Sequence, residues 1–396
     1  MRKIIFMTFL LACLTGEIHA QETKEKEKFT PDTPIWEELT NMKKKTDKFN
    51  LSLYMRGGFD THFQRGFQEG KFRMNDLRIE AKGNINHWLS YHYRQWLNRS
   101  NDGSNREDNL PASIDYAYIG IKLNQRTSLL LGKHSAFYGG MEFDQNPIEV
   151  YEFSDMGANT ECFLTGVNLS YQLTPKHEIN LQVLNNRNAS FRETYGVVVG
   201  ENGEMPDLKD SKLPLVYNIN WNANYSNVVK TRYSAAILSE TKGHRMYYYA
   251  LGNELNLNKW HAFVDFMYSK EGIDRTGIIT GIVGRPQGYN MTDVSYLSLV
   301  AQCNYRFLPK WHVFAKGMYE TASVDKNSEY ASKGKYRTSW GYLGGIEFYP
   351  MESNLHFFLT YVGRTYDFTS KAVARGQKNY DTHRISVGFI WKMPVF

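Results

Sequence analysis

This sequence has few cysteines and few long apolar runs. Only three of its 396 residues are cysteines, which excludes a small scaffold held together by disulfides. After residue 20 no apolar run reaches the roughly 20 residues that a membrane-spanning helix needs. The chain is therefore neither a disulfide-rich domain nor a bundle of membrane helices.

Motifs of catalysis and cofactor binding are missing as well. The sequence contains no G-x-S-x-G, no H-E-x-x-H and no Cys/His cluster with zinc spacing. The stretch LLLGKHS resembles part of a phosphate-binding loop, but Thr127 stands where that loop needs Gly, and His134 replaces its Ser or Thr. We therefore expect no enzyme, no cofactor and no metal site. The formal net charge of +6 comes without a dense basic patch interleaved with aromatics, so nucleic acid is not an expected partner.

The first residues have the form of an export signal. MRK is followed by the apolar stretch IIFMTFLLACLTGEIHA, with a small residue at Ala20. We predict a signal peptide over residues 1–20, cleaved before Gln21; lipidation of Cys13, with Leu10 three residues earlier, is the alternative that the sequence leaves open. Residues 21–49 carry charges of both signs and are predicted to form a charged periplasmic segment, with a short helix around PIWEELTNMKKK.

From Asn50 onward, apolar and polar residues alternate in segments of about ten. The clearest case is LVYNINWNANY, residues 215–225, in which asparagines alternate with apolar and aromatic residues. A helix cannot keep either face uniform at this spacing, because its period is 3.6 residues rather than 2. Seven short turns and eight longer polar loops separate these segments, and the fifteen connections predict sixteen strands. The turns are expected at 84–87, 124–126, 174–176, 226–227, 257–259, 308–310 and 351–354, and the loops near 61–71, 98–111, 134–160, 187–213, 240–244, 270–291, 322–336 and 366–381.

The alternation of short and long connections indicates the class of fold. Bacterial outer-membrane barrels have short turns in the periplasm and long loops outside the cell. The 27 Tyr, 23 Phe and 8 Trp residues also suit the two membrane interfaces. We predict that residues 50–396 form an all-β, transmembrane antiparallel β-barrel in the bacterial outer membrane, in contact with its lipid. Sixteen strands leave a lumen too wide for side chains to fill, which predicts a water-filled channel.

Charge on the predicted lumen face favours anions. The apolar phase of each strand is expected to face lipid, so the other phase lines the channel. Nine bases on that phase, Lys122 among them, face six acids: Asp60, Glu80, Glu178, Asp265, Glu320 and Glu347. Charged lumens select ions by the sign at the constriction, so the excess favours small anions. Pairing of these charges across strands is the alternative.

The loop near 134–160 is unusually apolar for a segment in water. It carries Phe137, Tyr138, Met141 and Phe143 among other large apolar residues. Such a composition favours packing against the barrel wall, so we expect the loop to fold inward after the fifth strand and narrow the channel. Closing over the mouth, or meeting a partner subunit, is the alternative.

A resemblance to a known family appears in this region. LLLGKHSAFYGGMEFDQNPIEVYEFSDM combines a strand that ends at Gly132 and Lys133, an aromatic–glycine turn, Glu142 and a helical piece containing Pro147. It resembles the corresponding region of the phosphate-selective porin O and P family, and the ending Trp-Lys-x-Pro-x-Phe is similar to Bacteroides-type members. The resemblance covers roughly residues 50–396. It implies a homotrimeric channel with a basic constriction that admits phosphate or other small anions, and it places Lys133 near that constriction.

The predicted function is an outer-membrane porin for passive diffusion of small anions such as phosphate. A general small-solute porin, or an adhesin or assembly protein whose loops bind a partner, is the alternative. The residues expected to line the pore and bind anions are Arg56, Arg78, Lys82, Arg94, Lys133, Arg232, Lys316, Arg364 and Arg384.

The C-terminus is predicted to close the barrel. RISVGFIW alternates like the other strands, and we expect the regular strand to stop near Lys392 because Pro394 cannot donate a ladder hydrogen bond. The segment MPVF is then expected to bend at the periplasmic rim. Phe396 is the predicted signal for the barrel-assembly machinery.

Overall fold

The alternating segments form strands of a single closed barrel. The computed structural model describes residues 47–103, 106–197, 208–351 and 354–395. Sixteen antiparallel strands pair in chain order, and β1 pairs with β16, which confirms the predicted number and closure. The strands are β1 Asn50–Phe63, β2 Phe67–Asn84, β3 Leu89–Trp96, β4 Ile114–Lys122, β5 Thr127–Ser135, β6 Phe163–Thr174, β7 His177–Asn185, β8 Leu215–Tyr225, β9 Val229–Thr241, β10 His244–Asn256, β11 Trp260–Ile273, β12 Thr292–Leu308, β13 Trp311–Val324, β14 Gly334–Phe348, β15 Leu355–Phe368 and β16 Tyr380–Pro394.

The seam between β1 and β16 runs further than the sequence predicts. Pro394 lies opposite Ser52, and the next amide, that of Val395, donates to the Leu51 carbonyl at 2.8 Å. The expected end near Lys392 is therefore wrong, because the ladder continues on both sides of the proline. Phe396 lies outside the described residues, as do the signal-peptide and lipidation sites and the helix expected around PIWEELTNMKKK.

Short and long connections alternate as predicted, with two corrections at the long-loop end. The region expected to be a loop at 61–71 is mostly strand, and β1 and β2 are joined by residues 64–66 alone. The connection expected at 240–244 is likewise only residues 242–243. Both hairpins extend because cross-strand pairing continues through residues whose polar character had suggested a loop.

The described parts of the long connections contain five short helices and one 3₁₀ turn. The helices are α1 Met141–Asp144, α2 Asp155–Asn159, α3 Phe191–Tyr195, α4 Ile278–Val283 and α5 Ser370–Val373, and the 3₁₀ turn is Pro147–Glu149. None of the described helices is long and apolar enough to cross a membrane.

The barrel wall is uneven in height. β3, β4 and β5 have 8, 9 and 9 residues, whereas β12 to β16 have 14 to 17. The long loops are tied together by buried ion pairs. Arg187 lies 2.9 Å from Glu240, and Arg275 lies 3.3 Å from the same carboxylate. These pairs hold the loop between β7 and β8 and the loop between β11 and β12 on the end of β9.

Candidate functional site: the barrel lumen and the loop inside it

Opposite faces of each strand differ in exposure, which identifies the lumen. On β15 the side chains of Phe357, Leu359 and Tyr361 are exposed, whereas the alternating His356 and Thr360 are buried. An apolar face on the outside of a barrel meets lipid, so the alternate face lines the channel.

Eight of the nine predicted anion-binding residues lie on the lumen face. Each of the eight has an acidic or carbonyl partner: Arg56 contacts the carbonyls of Ile148 and Val150, Arg78 and Arg94 contact Asp115, Lys82 contacts Glu80, Arg232 contacts Asp144, Lys316 contacts Glu142, Arg364 contacts Asp155 and Glu320, and Arg384 contacts Glu152. Lys82 is the most exposed of them, at 43% of its side-chain surface. Their role in anion binding stays a prediction.

Lys133 is the exception, and its predicted place in the lumen is wrong. Lys133 lies opposite Ala117 of β4. Leu131, two residues earlier on β5, lies between Ile119 of β4 and Val167 of β6, and both of these side chains are exposed on the outer face. Since residues two apart in a strand share a face, Lys133 points outward. There its Nζ lies 3.0 Å from Asp108 in the loop between β3 and β4. The resemblance located the segment but not the phase of the strand.

Replacing Lys133 with methionine should leave the ion selectivity of assembled channels unchanged, because the side chain lies outside the lumen. The measurement is the reversal potential in a KCl gradient across a planar bilayer. Lys133→Arg, which keeps the pair with Asp108, controls for any loss of assembly. A shift of the reversal potential in Lys133→Met but not in Lys133→Arg would place this charge in the ion path.

The loop of residues 136–162 folds into the lumen, the first of the two expected alternatives. Arg56 of β1 donates to the carbonyls of Ile148 and Val150 at 3.2 and 2.8 Å. On the other side, the ring of Tyr151 stacks on Phe314 of β13, with 4.9 Å between centroids. The Tyr151 hydroxyl also donates to Glu347 of β14 at 2.8 Å. The loop is thus held by the wall at β1 and at β13 to β14.

Carboxylates of the loop pair with bases of the wall. Lys316 Nζ lies 2.5 Å from Glu142 Oε1, and both side chains are buried. Asp155 contacts Arg337 and lies 3.2 Å from Arg364. These carboxylates neutralise part of the basic face on which the predicted anion preference rests.

The helical turns of the loop are positioned by side-chain acceptors. Asp265 of β11 accepts hydrogen bonds from the amides of Met141 and Glu142 at 2.8 and 2.7 Å, which satisfies the start of α1. A Cβ at Gly140 would lie 2.5 Å from the Asp265 carboxylate, so this approach requires glycine. The Ser154 hydroxyl accepts from the Gly157 amide at 3.0 Å and caps α2.

Glu149 is the loop carboxylate whose ionisation the surroundings change most clearly. Burial by itself raises its pKa, but Lys392, 2.7 Å away, and His356 outweigh burial and hold the pKa of Glu149 below its ordinary value of about 4.5. The carboxylate therefore stays charged, and its attraction for Lys392 is retained, under mildly acidic conditions.

The pH dependence follows from the direction of this shift. A lowered folded-state pKa means that Glu149 stabilises the docked loop fully above about pH 4.5, and that this contribution is lost as the pH falls through the lower folded value. Protonation of Glu149 should therefore add a change in conductance only below about pH 4.5. Recordings over a pH series check this, with Glu149→Gln as the control that should lose this step. A step of equal size below pH 4.5 in Glu149→Gln would contradict it.

A second sector of the lumen is lined by amides, with Glu178 as its acid at the short-turn end, where it accepts from Asn180 at 2.9 Å. On β6 to β8, the amide of Asn180 donates to Asn220 at 3.2 Å and the amide of Asn218 donates to Gln182 at 3.0 Å. The Ser170 hydroxyl donates to Asn180 at 2.5 Å. This amide wall was visible in the sequence as the alternating asparagines of residues 215–225.

The short-turn end of the barrel is electropositive. The described residues of its turns include four bases, Arg126, Lys176, Lys259 and Lys310, and no acid. A further group of bases lies on the lumen face within three residues of these turns: Lys82, Lys122, Lys230 and Arg306. We call these eight residues the basic collar. The acids on the lumen face at comparable depth are Glu80, Glu178, Glu254 and Glu347, and the sequence places Asp47 just before β1 and Glu352 between β14 and β15.

Two wall bases that hold the loop were missed by the sequence analysis. Arg337 shares the phase of Glu347 on β14, and Lys392 shares the phase of Arg384 on β16. The alternation of faces along β14 and β16 would have been enough to place both bases in the lumen. The loop carboxylates Glu149 and Asp155 carry no such signal, because their partners depend on where the loop folds.

A closed sixteen-stranded barrel with an apolar exterior, a polar lumen and an internal loop defines an outer-membrane channel protein. The family model of phosphate-selective porin O and P matches residues 49–392, and the chain belongs to this family. This assignment places the protein in the outer membrane, with its short turns in the periplasm.

Solved structures of outer-membrane channels share the fold at low sequence identity. The chain is similar to the outer membrane channel DcaP of Acinetobacter baumannii, with 12% identity, a TM-score of 0.62 and coverage of 88% of this chain and 99% of that one. It is also similar to an anion-selective porin from Comamonas acidovorans, with 8% identity, a TM-score of 0.56 and coverage of 87% and 99%. The trimer form of OmpT from Vibrio cholerae gives 9% identity, a TM-score of 0.54 and coverage of 87% and 100%. Comparison with curated protein sequences gives no match.

Proposed function

We propose that this porin is a passive diffusion channel that prefers small anions, phosphate included. The observation that carries the preference is the basic collar at the periplasmic mouth. Eight bases stand there against four lumen-side acids, with Asp47 before β1 and Glu352 in the sequence between β14 and β15 as further acids at this end. A ring of one sign raises the local concentration of the opposite ion and lowers its barrier to entry.

The internal loop sets the size of the permeant solute in this proposal. It occupies the lumen between β1 and β14 and is held there by side chains of the wall on both sides. The path left to solutes then runs between the loop and the amide wall of β6 to β8. Lys82 and Arg384 are the least buried of the predicted anion-binding residues on the lumen face.

The channel assembles as a homotrimer in this proposal, with outer-membrane lipid around it and the barrel-assembly machinery as its insertion partner. A similar structure, OmpT, is described in a trimer form, and another similar structure is described as an anion-selective porin. Both similarities support the proposal at the level of the fold.

Reversal potentials in a KCl gradient test the anion preference. Purified protein in planar bilayers should form open channels whose reversal potential has the sign of Cl⁻ permeation, and added phosphate should reduce the Cl⁻ current if it enters the same path. A K⁺-selective potential would refute the anion preference. Absence of any conductance from correctly folded barrels would refute the channel itself and favour an adhesin.

A general small-solute porin is the second candidate, favoured by one specific observation. The loop carboxylates pair with Lys316, Arg337, Arg364 and Arg384, so much of the wall's basic charge is neutralised. A reversal potential near zero, together with uptake of neutral sugars into liposomes, would decide for this candidate.

A further inference from the structure

The outer face of β10 to β14 changes from apolar to basic toward the long loops. Leu251, Phe266 and Leu299 lie side by side on three neighbouring strands and are 47%, 39% and 39% exposed. Residues two apart in a strand share a face, so the outward rows can be followed from here. The next row is Tyr249, Tyr268 and Leu297, and the row after it is Tyr247, Lys270, Ser295, Ser323 and Lys335. We call this last row and the residues beyond it the basic rim.

Strand length places the basic rim at the outer surface of the membrane. On β11 the outward Trp260 stacks on Tyr305, with 4.1 Å between ring centroids, directly after a short turn, and such aromatic pairs mark the periplasmic interface. From Trp260 to Lys270 the strand advances about 34 Å, which a tilt of about 40° reduces to roughly 26 Å of height. The apolar band of outer-membrane barrels is about 25 Å tall, so Lys270 lies at the level of the outer-leaflet headgroups.

A cleft of about 340 Å³ opens on the basic rim, where the turn between β9 and β10 meets the ends of β11 and β12. Its lining includes Arg245, Lys270, Asp293 and Lys326. Gly272, the next outward position of β11 after Lys270, also lines the cleft. A Cβ at this glycine would lie 2.8 Å from the Arg245 carbonyl oxygen, so the cleft stays open because no side chain fits there.

Two bases of the cleft are left without a counter-charge. Among the described residues, no acid forms an ion pair with the side chain of Arg245 or with that of Lys270. The two bases are diagonal neighbours on the outward face, because Lys270 lies opposite Tyr247, two residues after Arg245. Diagonal neighbours are about 7–8 Å apart, so the two cations repel each other unless an anion stands between them.

The acids close to the cleft are engaged with other partners. Asp293 pairs with Lys326 at 2.6 Å, and Asp325 accepts from the Ser295 hydroxyl at 2.7 Å. Glu271 is buried on the opposite face of β11, where it accepts from Thr276 at 2.7 Å. The cleft therefore keeps an excess of positive charge, which suits an anion from outside the chain.

A phosphorylated lipid headgroup fits this surface by both position and charge. Guanidinium and ammonium groups bind phosphate oxygens through charge-assisted hydrogen bonds. Basic clusters at a membrane surface bind the anionic headgroups beside them. The acyl chains of the same molecule would lie along the exposed row of Leu251, Phe266 and Leu299 directly below. A free phosphate ion would use only the charged half of this surface, whereas a lipid uses both halves.

We propose that the cleft in the basic rim binds a phosphate group of an outer-leaflet glycolipid, held between Arg245 and Lys270. Ser323, in the same row, offers its hydroxyl to the sugars of the headgroup. The aromatic rings of Tyr249 and Tyr268 lie at the boundary between headgroup and acyl chains, where such rings are favoured. The site lies on the outer wall of the barrel and goes beyond the proposed channel function, because it does not depend on which ions cross the lumen.

Native mass spectrometry of the folded full chain in detergent tests this site. The probe is lipid A, a phosphorylated glycolipid of the outer leaflet, compared with the same glycolipid after chemical removal of its phosphates. The unmodified protein should bind lipid A roughly tenfold more tightly than the dephosphorylated form. Equal binding of the two glycolipids would overturn the proposal, and this comparison needs no variant to fold.

The double variant Arg245→Gln and Lys270→Gln should lose the preference for the phosphorylated form. Its matched control is Arg65→Gln with Lys378→Gln, which removes the same charges from exposed positions between β1 and β2 and between β15 and β16. The control should keep the preference, and so should the exchange variant Arg245→Lys with Lys270→Arg. Heat-modifiable mobility shows that each variant is folded. A preference that persists in the double variant, or an equal loss in the control, would overturn the proposal.

Inorganic phosphate separates a lipid site from a site for the free ion. Phosphate at millimolar concentration should leave lipid A bound to the unmodified protein, because the ion cannot replace the contacts of the acyl chains. Displacement of lipid A by phosphate at these concentrations would show a site for the free ion and overturn the assignment to a lipid.

Discussion

Replacing Glu142 and Asp155 together with alanine is expected to release the internal loop and raise single-channel conductance. Glu142 accepts from Lys316 at 2.5 Å and from the Ser154 amide at 3.0 Å, and Asp155 contacts Arg337 and Arg364. Removing one partner of a buried ion pair costs about 3–5 kcal/mol, because the remaining charge is left uncompensated. Loss of two such pairs should outweigh the packing that holds the loop against the wall.

The same double variant is expected to become more anion-selective. Two negative charges leave the lumen, and Lys316, Arg337 and Arg364 lose carboxylate partners. Planar-bilayer recordings measure both effects, with conductance in symmetric KCl and the reversal potential in a KCl gradient. Size exclusion in liposome swelling should widen in parallel.

Asp144→Ala is the matched control in the same loop. Asp144 carries the same charge and pairs with Arg232 at 3.0 Å, but its side chain is 63% exposed. Exposed pairs contribute little, so this variant should keep the conductance of the original channel. Unchanged conductance in the double variant would mean that contacts such as the stacking of Tyr151 on Phe314 hold the loop without the ion pairs.

Reversing the charge of the collar bases that face the lumen should change the ion selectivity of the channel strongly. In the triple variant Lys82→Glu, Lys122→Glu and Lys230→Glu, the periplasmic mouth becomes acidic, because Glu80 and Glu254 already lie beside these positions. The reversal potential in a KCl gradient should then move from the Cl⁻ side toward K⁺. The effect should weaken at high salt, since exposed charges are screened over about 8 Å at physiological ionic strength and over shorter distances above it.

The triple variant Lys209→Glu, Lys212→Glu and Lys378→Glu serves as the control, because it changes the overall charge by the same amount. These three are exposed bases in the long loops between β7 and β8 and between β15 and β16, at the opposite end of the barrel from the collar. The control should shift the reversal potential much less than the collar variant does. Equal shifts from the two variants would show that selectivity follows overall charge rather than the collar.

The strands could be predicted because their signal is local. In LVYNINWNANY the period of two is set by residues within one segment, and it fixes which side chains share a face wherever the strand lies. The same alternation placed Arg56, Arg232, Lys316 and Arg364 in the lumen. It could also have placed Arg337 and Lys392, which share the phase of residues that were identified.

The contacts of the internal loop could not be predicted in this way. Arg384 donates to the carbonyl of Tyr151, 233 residues away along the chain, and Arg56 donates to that of Val150, 94 residues away. No local pattern relates such residues, because their proximity depends on closure of the barrel. The apolar composition of the loop indicated burial, but not which wall it would meet.

The extent of the first hairpin was misjudged for a similar reason. Residues 61–71 are polar enough to suggest a loop, yet they continue the pairing of β1 with β2. How far the β1–β2 hairpin extends beyond β3 depends on where β3 begins and ends, and that is decided by the whole sheet. The pairing of β3 with only Arg78–Asn84 of β2 therefore became visible only in the fold.

The sequence by itself determined the barrel, its number of strands, and which phase of most strands faces lipid, because alternation and turn residues act over a few residues. The tertiary structure decided which lumen charges are paired, that Lys133 faces outward, and that among the described residues β3 leaves the outer half of β2 unpaired. These properties arise from contacts between segments far apart in the chain, where closure of the sheet and the path of one loop bring opposite charges together.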